Sequence, residues 1–169
     1  MILHNVLKQA DYDALKEQML GEFFPWYWNN YINEPDEAIG GFQLIHTFYA
    51  YEKPQSSALH IVQNILNAFT EKTGLRIKTI YRIKANLNPR DSSQHLNVED
   101  LKHTDMDDDK WVSLLYYVND SDGATVFEDE EVLPKGNSLV MFKSNSRHAG
   151  KCPVIHKRKV VINFVVELR

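Results

Sequence analysis

The chain is nearly devoid of cysteine, with Cys152 as the one thiol in 169 residues. That excludes an intramolecular disulfide and fits a reducing compartment. A basic excess is missing as well: 19 Lys and Arg stand against 23 Asp and Glu, a formal net charge of −4. No bulk positive field therefore speaks for nucleic acid as a partner. No apolar run has the length a membrane span needs. The opening MILHNVLKQADYD has neither the basic start and apolar stretch of a signal peptide nor a small-residue cleavage site. Internal repeats and low-complexity segments are also lacking. These absences predict a soluble, cytoplasmic protein with no membrane contact, and the length predicts a single domain, 1–169, with one core.

Against that background the patterning is rich. Ile2 to Leu7 suits a short edge strand, and Asp11 can cap a helix carrying Tyr12, Leu15 and Met19 before Gly21 stops it. The most aromatic stretch follows at 22–31, EFFPWYWNNY, where Pro25 argues against a helix. It is expected to pack as a flap on the core, the alternative being a wall of a ligand pocket. A loop at 33–40 precedes a strand, GFQLIHTFYAY. The clearest helix then runs from a cap at Ser56 or Ser57 to Gly74, with Leu59, Val62, Leu66 and Phe69 on its apolar face. Residues 75–87 alternate with period two, Ile77, Thr79, Tyr81, Ile83 and Ala85 on one face and Lys78, Ile80, Arg82, Lys84 and Asn86 on the other. A polar loop over 88–100 leads into segments that all read as strands: WVSLLYYVN, TVFED, SLVMFKS and RKVVINFVVEL. The class is α+β, mainly β, with a helical and aromatic part over 1–74 and a β-barrel core over about 75–169.

Chemistry concentrates between residues 103 and 158. His103 and Asp105 lie two apart in KHTDMDDD, so on an extended segment both side chains leave the same side of the backbone. His148, in NSRHAG, must arrive from another strand. Two imidazoles and a carboxylate can take one face of an octahedral ferrous ion and leave the other open, although this donor set also suits Mn(II) or Zn(II). Asp107 is a further carboxylate nearby. The remaining histidines, His4, His46, His60, His95 and His156, are expected to be surface or hydrogen-bonded residues. On the last strand Arg158, Val160, Ile162, Phe164 and Val166 share a face, with Lys159, Asn163 and Glu167 on the other, so Arg158 is expected to point inward. An inward guanidinium needs an anion, either a ligand carboxylate or an Asp or Glu of the chain. A one-residue slip would put Lys159 there instead.

At these positions the sequence resembles the Fe(II)/2-oxoglutarate-dependent oxygenases, most closely their prolyl 4-hydroxylase-like branch, from about Tyr81 to Phe164. The matching pattern is H-x-D, a downstream histidine, and a cation about ten positions later, and it extends to LLYYVNDSDGATVFED. The resemblance implies a double-stranded β-helix, or jelly roll, covered by the N-terminal helices. It implies Fe(II) on His103, Asp105 and His148, and 2-oxoglutarate on Arg158 with Tyr117 and Asn86 nearby. Oxygen would be the co-substrate, ascorbate a supporting reductant, and the outcome hydroxylation of a C–H bond in a peptide, protein or small molecule, with succinate and carbon dioxide released. A prolyl substrate is an analogy with the branch. The alternatives are a cupin-like metalloenzyme that does not use 2-oxoglutarate and a non-catalytic metal-binding barrel. Oligomeric state is not readable from these residues.

Overall fold

The structure is a computed structural model that describes residues 1–30, 42–91 and 98–169. The loop expected at 33–40, Tyr31, His95 and the middle of the loop expected at 88–100 lie outside the described residues. In chain order the elements are β1 (Ile2–His4), α1 (Gln9–Leu20), β2 (Tyr27–Asn29), β3 (Gln43–Ala50), β4 (Lys53–Pro54), a 3-10 turn (Ser57–Leu59) and α2 (His60–Thr73). They continue as β5 (Ile77–Pro89), α3 (Val98–Leu101), β6 (Trp111–Tyr117), β7 (Thr125–Val126), β8 (Glu131–Val132), β9 (Ser138–Lys143), β10 (Ala149–Gly150) and β11 (Arg158–Leu168).

Eight strands form a major antiparallel sheet in the order β1-β9-β6-β11-β5-β3-β2, with β4 added to β3. The short strands β10-β7-β8 make a minor sheet. Strands from residues 1–74 thus sit at both edges of the sheet whose centre is β6, β11 and β5. Mainly β, with α1 and α2 on one side of the major sheet, this is the expected class.

β6 and most of β11 are buried on both faces, which is why they read as nearly continuous apolar runs. One face packs on the helices. Phe48, Ile83, Leu114, Val160, Ile162 and Phe164 meet Met19 of α1 and Val62, Ile65 and Phe69 of α2 there, and nearly all are fully buried. Burial of each such side chain is worth about 1.5–3 kcal/mol. The other face meets the minor sheet through a smaller cluster of Leu115, Tyr117, Val132, Val140 and Val161.

Local signals account for the helix ends. Ser56 accepts a hydrogen bond from the Ala58 N–H at 3.0 Å, and Gly74 takes the left-handed conformation, φ +73°, with its N–H on the Thr70 carbonyl. That conformation costs a side chain dearly and glycine little. α1 buries Tyr12, Leu15 and Met19 as its spacing requires, but it starts at Gln9, so Asp11 lies in the first turn rather than capping it. The even alternation expected along 75–87 is broken as well. Val165 pairs with Arg82 and Val166 with Ile80, leaving Tyr81 as an extra, bulged residue, and a second irregularity falls at Lys78. A bulge shifts the period, so Ile77 and Ile80 turn to the helix-covered core along with Ile83, while Arg82, Lys84, Asn86 and Asn88 form one row on the opposite face.

Candidate active site

Between the two sheets lies a cavity of about 240 Å³ whose lining is mostly polar. At one end the chain leaves α3 through His103. Its N–H bonds the His148 carbonyl and the His148 N–H bonds the His103 carbonyl, both at 2.9 Å, an isolated antiparallel rung that sets the imidazoles side by side, centroids 4.5 Å apart and planes tilted by 43°. Asp105 follows on an extended turn fixed by its own N–H to the Ser144 carbonyl at 2.9 Å. The ligand atoms of His103, Asp105 and His148 all lie within 4.8 Å of one another.

Each imidazole is oriented by a carbonyl. Nδ1 of His103 is 3.2 Å from the Leu101 oxygen, and Nδ1 of His148 is 3.0 Å from the Ser146 oxygen. A carbonyl only accepts, so both Nδ1 atoms carry the proton and both Nε2 atoms keep a lone pair for a metal. Burial, with repulsion from His148 behind it, pulls His103 below the usual imidazole value and favours the neutral, ligating form. Asp105 is held tightly. Its Oδ1 accepts from Arg82 Nη2 at 3.0 Å and from Asn163 Nδ2 at 2.9 Å. Its Oδ2 accepts from Ser113 Oγ at 2.6 Å and Asn163 Nδ2 at 3.0 Å. Burial raises its pKa, but His148, Ser113, Asn163 and Arg82 together outweigh burial, and the carboxyl ends below its ordinary range. It is therefore an anion ready to bind a cation. His148 Nε2 lies 3.8 Å from Asp105 Oδ2, a separation that one ion can span.

The expected inward Arg158 is a correction. The alternation of β11 is as expected, but its Arg158 face is the helix-covered one, where Arg158 Nη2 donates to the Leu20 carbonyl at 2.8 Å. Lys159 lines the cavity instead, 1 % exposed, with Nζ donating to the Lys151 carbonyl. Burial pulls its pKa down to about 8. Asn86 lines the cavity, and its buried Oδ1 has no hydrogen-bond partner among the described residues. Tyr117 lies just beneath. Its hydroxyl donates to Thr125 Oγ1 at 2.9 Å, and it is Thr125 that reaches the cavity.

Sequence reasoning passed over Arg82, Lys84, Asn88, Ser113 and Asn163. A row of polar residues at period two reads as a solvated face, which is the usual meaning of that pattern. Asp107 stands apart from the ligand cluster, accepting from Thr104 Oγ1 at 3.4 Å. His46 is buried between the Pro25 carbonyl and Ser56 Oγ, and His4, His60 and His156 bond to near neighbours. In the aromatic stretch Phe24 and Trp26 pack into the core, Tyr27 and Trp28 are exposed, and none of its described residues lines the metal-ligand cavity.

Residues 90–166 match the family model of the 2OG-Fe(II) oxygenase superfamily. Solved structures align over almost the whole chain. A prolyl hydroxylase from Trichoplax adhaerens, in complex with a hypoxia-inducible-factor peptide, aligns with TM-score 0.68 at 17 % identity over 99 % of this chain and 82 % of its own. A prolyl-4-hydroxylase from Pseudomonas putida gives TM-score 0.62 at 18 % identity, covering 99 % and 91 %. HygX from Streptomyces hygroscopicus, solved with nickel, 2-oxoglutarate and hygromycin B, gives 0.57 at 9 % identity, covering 99 % and 82 %. At such identities the alignments establish the fold, the double-stranded β-helix of these oxygenases. No curated protein matches the sequence.

Proposed function

We propose, from the match of residues 90–166 to the family model of the 2OG-Fe(II) oxygenase superfamily, that this chain is an Fe(II)- and 2-oxoglutarate-dependent dioxygenase that hydroxylates a C–H bond of a peptide, protein or small molecule. One observation carries the reading: three clustered ligands with both Nε2 lone pairs free share a cavity with a buried lysine. His103, Asp105 and His148 would hold Fe(II) and, as only three ligands, would leave room on it for 2-oxoglutarate and oxygen. When bound, iron and 2-oxoglutarate supply the oxidising chemistry.

The chain's own residues bind and orient. Arg82, Ser113 and Asn163 hold Asp105 ionised and fixed. Lys159 takes the role first expected of Arg158, meeting the distal carboxylate of 2-oxoglutarate. Register supports the span: Asn163, which touches Asp105, and Lys159 are four residues apart on β11, roughly 13 Å at a strand's rise per residue. A five-carbon diacid plus a lysine side chain can bridge that distance. An ammonium has three donors, so Lys159 can keep the Lys151 carbonyl and still bind a carboxylate. Tyr117, donating to Thr125, leaves the threonine proton free to turn to the same carboxylate. Asn86, across the strand pair from Val161, offers its spare carbonyl oxygen along the route.

Anaerobic titration of the Fe(II)-loaded protein with 2-oxoglutarate tests the reading through the visible charge-transfer band of a chelated keto acid. The band is expected to saturate in the wild type and vanish in His148→Ala. Lys159→Met should require far more co-substrate, whereas Arg158→Met should titrate as the wild type does. Failure of the iron-loaded wild type to give any band would sink the proposal in favour of a metalloprotein that ignores 2-oxoglutarate.

A further inference from the structure

The described lining of the cavity carries more positive charge than iron and 2-oxoglutarate can use. Arg82, Lys84 and Lys159 line it, and Asp105 is its only carboxylate among the described residues. A ferrous ion and a 2-oxoglutarate dianion cancel each other, so a surplus of positive charge persists when both are bound. Asp105 answers Arg82 and the co-substrate answers Lys159. Lys84 is left over: it has no hydrogen bond or ion pair among the described residues and is only partly exposed, its surroundings being the cavity. A desolvated ammonium of this kind is costly unless a ligand completes it.

Position separates Lys84 from the co-substrate. On the paired strands Lys159 lies opposite Asn88, Val161 opposite Asn86 and Asn163 opposite Lys84. Lys84 therefore stands level with the Asn163 that grips Asp105, at the metal end, while the 2-oxoglutarate tail would run the other way toward Lys159. Arg82 is one step further out in the same row and reaches solvent, its side chain 29 % exposed. The row thus leads from the cavity mouth to the metal level with two cations and, among the described residues, no carboxylate beyond Asp105.

We infer that the substrate carries a carboxylate close to the carbon that is oxidised, and that Lys84 receives it, with Arg82 guiding it in. The inference rests on the dioxygenase reading and names the substrate class for that same site. The carboxylate could belong to a free amino or hydroxy acid or to an acidic side chain in a peptide.

Perturbation of the charge-transfer band of the Fe(II)- and 2-oxoglutarate-loaded protein, measured without oxygen, tests it. The probes are free amino acids with their carboxamides, and Asp- or Glu-containing peptides with their Asn or Gln counterparts. Acids are expected to shift the band where the matched amides do not, and the series that does so identifies the source of the carboxylate. Lys84→Met is expected to weaken the responding acid by about thirtyfold, as removal of one partner of a desolvated charge pair does, while Lys84→Arg retains the preference for acid over amide. The 2-oxoglutarate midpoint of Lys84→Met should stay at the wild-type value, which also shows that the variant is folded. A raised midpoint would assign Lys84 to the co-substrate and overturn the inference. So would amides acting as well as acids, or no acid shifting the wild-type band. A wild type that gives no band with 2-oxoglutarate instead brings down the dioxygenase reading itself.

Discussion

The two faces of β11 differ in chemistry but not in burial. Val160, Ile162, Phe164 and Val166 face the helices and are 0 % exposed. Lys159, Val161, Asn163 and Val165 face the minor sheet and are no more than 6 % exposed. The first face is a core in the ordinary sense, where every contact contributes to stability. The second buries an ammonium and a carboxamide, which cost free energy unless they are hydrogen-bonded: Asp105 accepts from Asn163, while Lys159 has only a neutral carbonyl, that of Lys151, to meet its charge. In a double-layered β fold, "inward" therefore has two meanings, and the polar inside is where the chemistry lies.

Removing His148 or Asp105 by alanine should abolish stoichiometric iron binding, measured by metal analysis after desalting, because two ligands do not hold a ferrous ion at an open site. Phe164→Ala should destabilise the fold by about 3–5 kcal/mol in denaturant unfolding, the cost of an emptied aromatic site. Lys159→Met should do the reverse on the opposite face: it should stabilise the metal-free protein by about 1–4 kcal/mol while weakening 2-oxoglutarate about thirtyfold or more. Arg158→Met should cost only about 0.5–1.5 kcal/mol, for the lost hydrogen bond to the Leu20 carbonyl, and leave co-substrate affinity alone. Equal effects of the two substitutions on 2-oxoglutarate would erase the distinction between the faces.

pH sharpens the contrast by a smaller amount. Burial lowers Lys159 from 10.5 to about 8, so the folded state binds fewer protons than the unfolded state between those values. The cost of its buried charge is then fully present below pH 8 and is relieved as pH rises toward 10.5. Co-substrate affinity runs the other way, falling as pH passes 8 and the ammonium is lost. Wild type minus Lys159→Met, in unfolding and in 2-oxoglutarate titration, should show these opposite slopes. Parallel slopes would mean that Lys159 is not the carboxylate's partner.

Much of this was legible in the chain. The helix ends at Ser56 and Gly74, the faces of α1 and α2, and the grouping of His103, Asp105 and His148 follow from caps, periodicity and spacing. What failed did so for physical reasons. Alternation assigned the two faces of β11 correctly, but the more apolar face was taken as the site-bearing interior. A strand sandwiched between a helix layer and a second sheet has no exposed face by which to orient the pattern. The bulge at Tyr81 is invisible to periodicity, since it depends on pairing with Val165 and Val166. The row Arg82, Lys84, Asn86 and Asn88 looks solvated because nothing local reveals that a minor sheet covers it. Lys159 lies eleven positions after His148 and Arg158 ten, so a spacing of "about ten" cannot separate them.

The rung between His103 and His148 has one more consequence. Backbone hydrogen bonds fix the spacing of the two imidazoles, and the Leu101 and Ser146 carbonyls fix their tilt. Such a site stands assembled before any ion arrives and has little freedom to reshape itself around one ion rather than another. Divalent metals would then rank by their intrinsic preference for imidazole and carboxylate, with copper, nickel and zinc above ferrous iron. Which metal the folded protein holds is thereby decided by what its surroundings supply.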